Sequence, residues 1–150
     1  MSHQATIRWA RQGPDFLERR YSRKHTWHFD GGAVIPASPS PSIVPAPWSD
    51  AACVDPEEAF IASVASCHML WFLHVAVDAG FIADRYEDAA IGVMTKNEDG
   101  VPWISHITLH PQVTWSGEVK PTPDQEAHLH HEAHRRCFIA ASIKTRVEIE

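Results

Sequence analysis

The segment from Ala59 to Val77 is apolar on nearly every side and lies inside a well-marked helix. Asp55 stands where an N-cap belongs, Pro56 occupies the first helical position, and Gly80 supplies a C-terminal stop. At about 1.5 Å per residue this helix is roughly 35 Å long. A helix that is apolar all round must be buried on most of its faces. The sequence therefore predicts a long central helix that a second copy of the chain helps to cover.

The same segment is almost long enough to span a bilayer. Ser63, Ser66, His68 and His74 interrupt it on several faces, and we therefore interpret it as a buried helix rather than a membrane span. The start of the chain has neither an apolar core nor a small-residue cleavage site of the kind found in secretory signals. We accordingly expect a cytoplasmic protein with no membrane partner.

Composition predicts one domain over residues 1–150, since 44% of the residues are hydrophobic. The formal net charge of -6 argues against nucleic acid as a partner. Cys53, Cys67 and Cys137 are an odd number of widely spaced cysteines without a CxxC pair. This pattern is neither a disulfide framework nor a zinc site, so any redox role would depend on individual thiols.

Strands are predicted on both sides of the long helix, and a second helix is predicted near the end of the chain. Residues 35–50 hold five of the eleven prolines and are predicted to be an irregular surface crossing. The second helix begins at a capping box, with Thr122 as N-cap and Gln125 at N3, and ends between Cys137 and Ala140. The predicted strands cover residues 4–11, 21–32, 85–97, 101–116 and 142–150.

Two cysteines lie on these helices, and each has two explanations when considered alone. Cys67 can be a small buried hydrophobe whose pKa is raised by burial, and it needs a nearby cation to become reactive. Cys137 follows Arg135 and Arg136, and His134 lies one turn back, so a positive group is available to it. Alternatively, these arginines only favour the C-terminal end of the helix dipole.

The segment HLHHEAH places several imidazoles on the second helix. His130 and His134 are an i,i+4 pair, and His131 and His134 are an i,i+3 pair. The pattern is not HExxH, and two imidazoles are half of a zinc site. We therefore predict a polar, solvated helix face and no metal. His68 points about 100° away from its neighbour Cys67 around the helix, and is predicted either to pack or to support the residues that contact the site.

Two segments together resemble the OsmC/Ohr family of thiol-dependent peroxidases. They are DPEEAFIASVASCHMLWFL, residues 55–73, and HHEAHRRCFIAAS, residues 130–142. The first is similar to the family's Asn/Asp-Pro-Glu helix start with a cysteine ten residues after the glutamate. The resemblance implies an α/β (α+β) fold with antiparallel sheets around a long buried central helix. It also implies an intertwined homodimer with active sites at its interface.

The resemblance also implies a reaction. Cys67 is then the peroxidatic nucleophile, which an organic hydroperoxide oxidises to a sulfenic acid, and Cys137 is the resolving thiol that captures it as a disulfide. A small dithiol of the lipoyl type restores both thiols, and no cofactor is needed. Such a protein is an antioxidant enzyme of the stress response.

Two further catalytic residues follow from the resemblance. Glu57 matches the carboxylate that orients an arginine, and Arg23 is our preferred arginine because it leads directly into the strand HTWHFDGG, ahead of Arg20 and Arg19. Glu57 and Cys67 are ten residues apart, about 15 Å along a straight helix, so they cannot serve one site along that helix. Either the other chain completes the site, or an arginine and a bend in the chain bridge the gap.

The sequence departs from the family at two positions. Phe138 follows Cys137 where the family commonly has proline, and Cys53 has no family role. Two other functions therefore stay open: a non-catalytic OsmC-like protein that binds an apolar ligand or a metal held by histidines, and a redox sensor that uses the same two thiols.

Overall fold

The long apolar helix lies where the sequence predicts it. In the computed structural model, which describes residues 1–150, α1 spans Pro56–Asp78. Asp55 Oδ1 accepts a hydrogen bond of 2.7 Å from the backbone N–H of Glu58, which is the predicted N-cap contact. Gly80 follows the helix at φ +79°, a left-handed conformation that ends helices and favours glycine. Both predicted boundaries are confirmed.

The chain forms two compact units, Met1–Ala59 and Phe60–Glu150. The N-terminal unit contains a three-stranded antiparallel sheet in the order β1-β2-β3, formed by Ala5–Arg8, His25–Phe29 and Val34–Ala37. β3 overlaps the proline-rich segment that we predicted to be irregular, and that prediction is wrong for residues 35–37. Pro36 is tolerated there because β3 is an edge strand, where a missing N–H donor costs little.

The C-terminal unit carries the remaining strands in two small sheets. β4 pairs with β7, and β5, β6 and β8 form the second sheet, in which β6 and β8 are parallel. The single strands predicted over 85–97 and 101–116 are wrong, because each changes sheets part of the way along. Asp88 Oδ1 accepts a hydrogen bond of 2.8 Å from the N–H of His110 and so joins the two breaks. The elements are β4 (Ile82–Asp88), β5 (Ile91–Lys96), β6 (Pro102–Leu109), β7 (Pro111–Ser116), α2 (Pro123–Arg136), α3 (Phe138–Ala141) and β8 (Arg146–Ile149).

α1 contributes side chains to both hydrophobic clusters of this unit. Val64 packs with Ile107 and Leu109, and Phe72 lies in the second cluster, which includes Leu129 of α2. Other apolar residues of α1 are exposed, among them Leu70 at 61% and Val77 at 72%. The helix is long and apolar enough to cross a membrane by length and composition alone, a test that core helices of soluble proteins also pass.

The second helix begins at the predicted capping box. The Thr122 hydroxyl accepts from the N–H of Gln125 at 3.2 Å, and the Gln125 side-chain oxygen accepts from the N–H of Thr122 at 2.9 Å. α2 ends at Arg136, and Cys137 then caps α3, where its sulfur accepts from the N–H of Ala140 at 3.4 Å. Cys137 thus joins the two helices, because its N–H donates to the His134 carbonyl at 3.2 Å and its sulfur caps α3.

Candidate thiol site

Cys67 of α1 and Cys137 between α2 and α3 come together in the C-terminal unit. Both are free thiols, Cys67 half-buried and Cys137 only 1% exposed. Burial, and then the interaction with the neighbouring Cys67 thiol, raises the pKa of Cys137 to about 11. The N–H of Ala140 opposes this shift but does not cancel it. Cys137 is therefore a protonated thiol at neutral pH, next to a more accessible one.

Aromatic rings and a guanidinium surround the segments that carry the two cysteines. Trp71, one helical turn after Cys67, packs edge to face against Phe138, with ring centroids 5.4 Å apart. The guanidinium carbon of Arg136 lies 5.9 Å from the Trp71 ring centroid. Arg136 is not among the arginines that the resemblance suggested, although its position next to Cys137 in the sequence makes it a candidate. It brings a permanent positive charge to the aromatic residue beside Cys67.

Two buried histidines form a pair between α1 and α2. The rings of His68 and His130 stack with centroids 5.3 Å apart, and His68 Nε2 lies 3.0 Å from His130 Nδ1. The Phe72 ring stacks on the His130 ring, with centroids 4.1 Å apart. Burial lowers the pKa of both histidines to about 4, and the nearby His130 and His134 lower that of His68 further. Both imidazoles are therefore neutral at pH 7.

The histidine pair corrects one prediction and extends another. The prediction of a solvated helix face is correct for His131, which is exposed. It is wrong for His130, which is only 8% exposed and forms a hydrogen bond with His68. His68 packs as predicted, but its polar partner, 62 positions away, was missed. The structure has no group of three or more His, Cys, Asp or Glu side chains that could hold a metal ion.

Glu57 and Arg23, the other predicted catalytic residues, belong to the N-terminal unit. Glu57 is half-buried in the first turn of α1, which continues unbroken to Asp78. The Arg23 guanidinium carbon lies 4.1 Å from the Tyr21 ring centroid, and its Nη1 donates to the Tyr21 carbonyl at 3.0 Å. The structure therefore brings Cys67 and Cys137 together, whereas the roles of Glu57 and Arg23 stay predictions.

Two neighbouring thiols held by helices of a mixed α/β fold define a class of small dithiol proteins. Residues 49–150 match the family model described as OsmC-like protein, and the chain belongs to this family. The predicted family and fold class are thereby confirmed.

The solved structures extend this likeness over the whole chain. An OsmC-like protein of unknown function from Vibrio cholerae is 46% identical, with a TM-score of 0.97 over 100% of this chain and 98% of that one. The organic hydroperoxide resistance protein OsmC of Legionella pneumophila is 14% identical, with a TM-score of 0.71 over 100% and 94% of the two chains. The organic hydroperoxide resistance protein OhrB of Bacillus subtilis is 19% identical, with a TM-score of 0.65 over 100% and 98%. The last two show a common fold. No curated protein matches the sequence.

Proposed function

We propose that this protein is a cytoplasmic, thiol-dependent peroxidase that reduces organic hydroperoxides. The observation that carries the proposal is the pairing of a half-buried Cys67 with a buried, protonated Cys137. Two structures of the same fold carry the name organic hydroperoxide resistance protein, which supports a redox role in this family.

We propose different roles for the two thiols because their environments differ. A thiol with a pKa of about 11 is ionised in roughly one molecule in 10⁴ at pH 7, so Cys137 is a poor first nucleophile. The Cys67 thiolate attacks the hydroperoxide, breaks its O–O bond and becomes a sulfenic acid, while the departing alkoxide takes a proton and leaves as the alcohol. The Cys137 sulfur then displaces the hydroxyl of that sulfenic acid, releasing water and forming a disulfide. A lipoyl-type dithiol reduces the disulfide by thiol exchange.

The proposed active form is a homodimer. Leu70 and Val77 are large apolar side chains of α1 that stay more than half exposed in one chain, and a second copy is the natural cover for such a face. Sedimentation analysis at micromolar concentration tests this proposal directly. A monomer with full peroxidase activity would contradict it.

Peroxide consumption by matched cysteine variants tests the reaction. Wild-type protein with dihydrolipoamide is expected to consume cumene hydroperoxide, and Cys67→Ser is expected to abolish consumption. Cys137→Ser should give one turnover and a sulfenic acid at Cys67 that a dimedone probe traps. Cys53→Ser is the control and should keep full activity. If the wild type consumes no hydroperoxide with any dithiol, the peroxidase proposal fails, and reversible oxidation without turnover would favour a redox sensor.

The activating arginine is tested by three glutamine substitutions. We propose that Arg23, oriented by Glu57, stabilises the thiolate of Cys67, and Arg136 is the competing candidate because of its place over Trp71. Arg135→Gln is the matched control, since the Arg135 side chain is 66% exposed and pairs with Glu132. A loss of activity in Arg23→Gln alone supports our assignment if the midpoint of the pH dependence of Cys67 alkylation also moves to higher pH. The same result in Arg136→Gln alone transfers the role to Arg136.

A further inference from the structure

The N-terminal unit contains an apolar pocket of about 470 Å³, lined only by residues of that unit. Three aromatic rings stand around it in mutual contact: the centroid separations are 4.6 Å for Phe16 and Tyr21, 5.7 Å for Trp9 and Tyr21, and 6.0 Å for Trp9 and Phe16. The rest of the lining consists of Ile7, Arg23, His25 and Pro39. The volume is that of a typical small-molecule site.

The walls of this pocket are held in place by hydrogen bonds. The Trp9 indole N–H donates to the carbonyl of Ser22 at 2.9 Å. His25 Nδ1 lies 2.8 Å from the Arg23 carbonyl, and His25 Nε2 accepts from the Trp27 indole N–H at 3.0 Å. Both ring nitrogens of His25 are thus occupied by contacts with the protein, so the ring has no donor left for a ligand. The pocket is pre-formed, and one residue of its lining carries a permanent charge.

That residue is Arg23. Its Nη1 donates to the carbonyl of Tyr21 at 3.0 Å and its Nη2 to that of Arg19 at 3.5 Å. A guanidinium has five N–H donors, so three are left, and neither acceptor carries a negative charge. A guanidinium against an aromatic wall is well suited to a planar carboxylate, which it can bind through two parallel hydrogen bonds.

Charge along the chain favours the same kind of ligand. Residues 1–24 contain six arginines or lysines and two acidic residues, a formal charge of +4, although the whole chain carries -6. The positive charge is therefore concentrated in the segment that supplies Ile7, Trp9, Phe16, Tyr21 and Arg23. Such a concentration attracts anions to the pocket.

We propose that this pocket binds a small carboxylate with an aromatic body, through the same Arg23 that the proposed function assigns to the Cys67 thiolate. The three rings stack on the aromatic body, and Arg23 pairs with the carboxylate. A sugar or another ligand rich in hydroxyl groups is not expected, because burying hydroxyls against these walls would leave them without partners.

Calorimetric titration with 2-naphthoate and its neutral analogue 2-naphthamide tests the proposal. We expect the wild type to bind the carboxylate about tenfold more tightly than the amide, because a charge-assisted pair is the stronger contact. Arg23→Gln should remove this preference. Arg11→Gln is the matched control, since Arg11 lies outside the pocket lining, donates to the Gly13 carbonyl, and changes the charge of the same segment equally. It should retain the preference.

A second variant covers a folding failure of Arg23→Gln. Phe16→Leu keeps the guanidinium and should weaken both ligands by the same factor, because it removes ring contact but no charge. The proposal is overturned if the wild type binds neither ligand, if it binds both equally, or if Arg11→Gln loses the preference as Arg23→Gln does. Repeating the titration on Cys67→Ser separates this outcome from the fate of the peroxidase proposal, because binding does not require the thiol.

Discussion

The neutral histidine pair should make the stability of the protein fall steeply between pH 6.5 and pH 4. His68 and His130 are buried and have a folded-state pKa of about 4, against 6.5 when exposed. In this window the unfolded chain binds protons that the folded chain does not, so the free energy of unfolding decreases as the pH falls. Above pH 6.5 both states hold neutral imidazoles and the pair has no effect. Below pH 4 both states hold protonated imidazoles, so the pair lowers the free energy of unfolding no further.

The size of this effect follows from the two shifts. Each group contributes at most about 1.4 kcal/mol per pH unit, so the pair contributes a slope approaching 3 kcal/mol per unit. Between pH 6.5 and pH 5 the loss is about 3 kcal/mol, a large part of the roughly 5–15 kcal/mol that stabilises a typical domain. Asp88 acts in the opposite direction, because burial raises its pKa. Its contribution is the same in all variants and cancels in their differences.

Urea unfolding followed by tryptophan fluorescence at pH 7.5, 6.5, 5.5 and 5.0 measures the slope. His130→Gln removes one titrating group from the pair and should roughly halve the pH dependence contributed by the pair, although it lowers stability at pH 7.5 as well. His131→Gln, one residue away and exposed, is the matched control and should leave the slope unchanged. Equal slopes for the wild type and His130→Gln would refute the neutral buried pair. So would a stability that does not change across this range.

Three substitutions test the packing and capping around the site by urea unfolding at pH 7.5. Leu109→Ala should lower the free energy of unfolding by about 2–5 kcal/mol, since Leu109 is fully buried, and a loss below about 1 kcal/mol would contradict its place in the core. Thr122→Ala should cost about 1 kcal/mol through loss of the capping box, whereas no change would mean that solvent replaces the cap. Gly92→Ala should cost about 1–3 kcal/mol, because a Cβ there would lie 2.5 Å from Ile61 Cδ1. The double variant Ile61→Val/Gly92→Ala should lose as much stability as the two single variants together if the crowding lies elsewhere, and less than that sum if it lies at Ile61.

The parts of the fold that the sequence predicted well depend on local chemistry. Asp55 and Gly80 mark the ends of α1, and Thr122 marks the start of α2, through hydrogen bonds and dihedral angles that involve only a few neighbouring residues. The turn between β5 and β6 is local in the same way, with Gly100 at φ +76°. Such contacts act over one helical turn or one hairpin, so the residue types at fixed spacings are sufficient to predict them.

The parts that the sequence missed depend on partners far away along the chain. The breaks after β4 and β6 are joined by a hydrogen bond from the His110 N–H to the Asp88 carboxylate. The buried His130 ring has its hydrogen-bond partner in His68, on the other helix. Alternation of apolar residues continues across such a break, and a histidine on a helix looks the same whether water or another imidazole faces it. The pairing of Cys67 and Cys137 was predicted only from the family resemblance, for the same reason.

Burial limits which residues can activate Cys67. The same loss of hydration raises the pKa of Cys137 and lowers that of His68 and His130, so both histidines are neutral at the pH at which a peroxidase works. A neutral imidazole cannot stabilise a thiolate by charge. Because a guanidinium keeps its charge even when it is buried, an arginine is the cation best suited to the proposed peroxidase chemistry. The choice between Arg23 and Arg136 is therefore the decisive one for the mechanism, and histidine variants should change stability and its pH dependence more than the reactivity of Cys67.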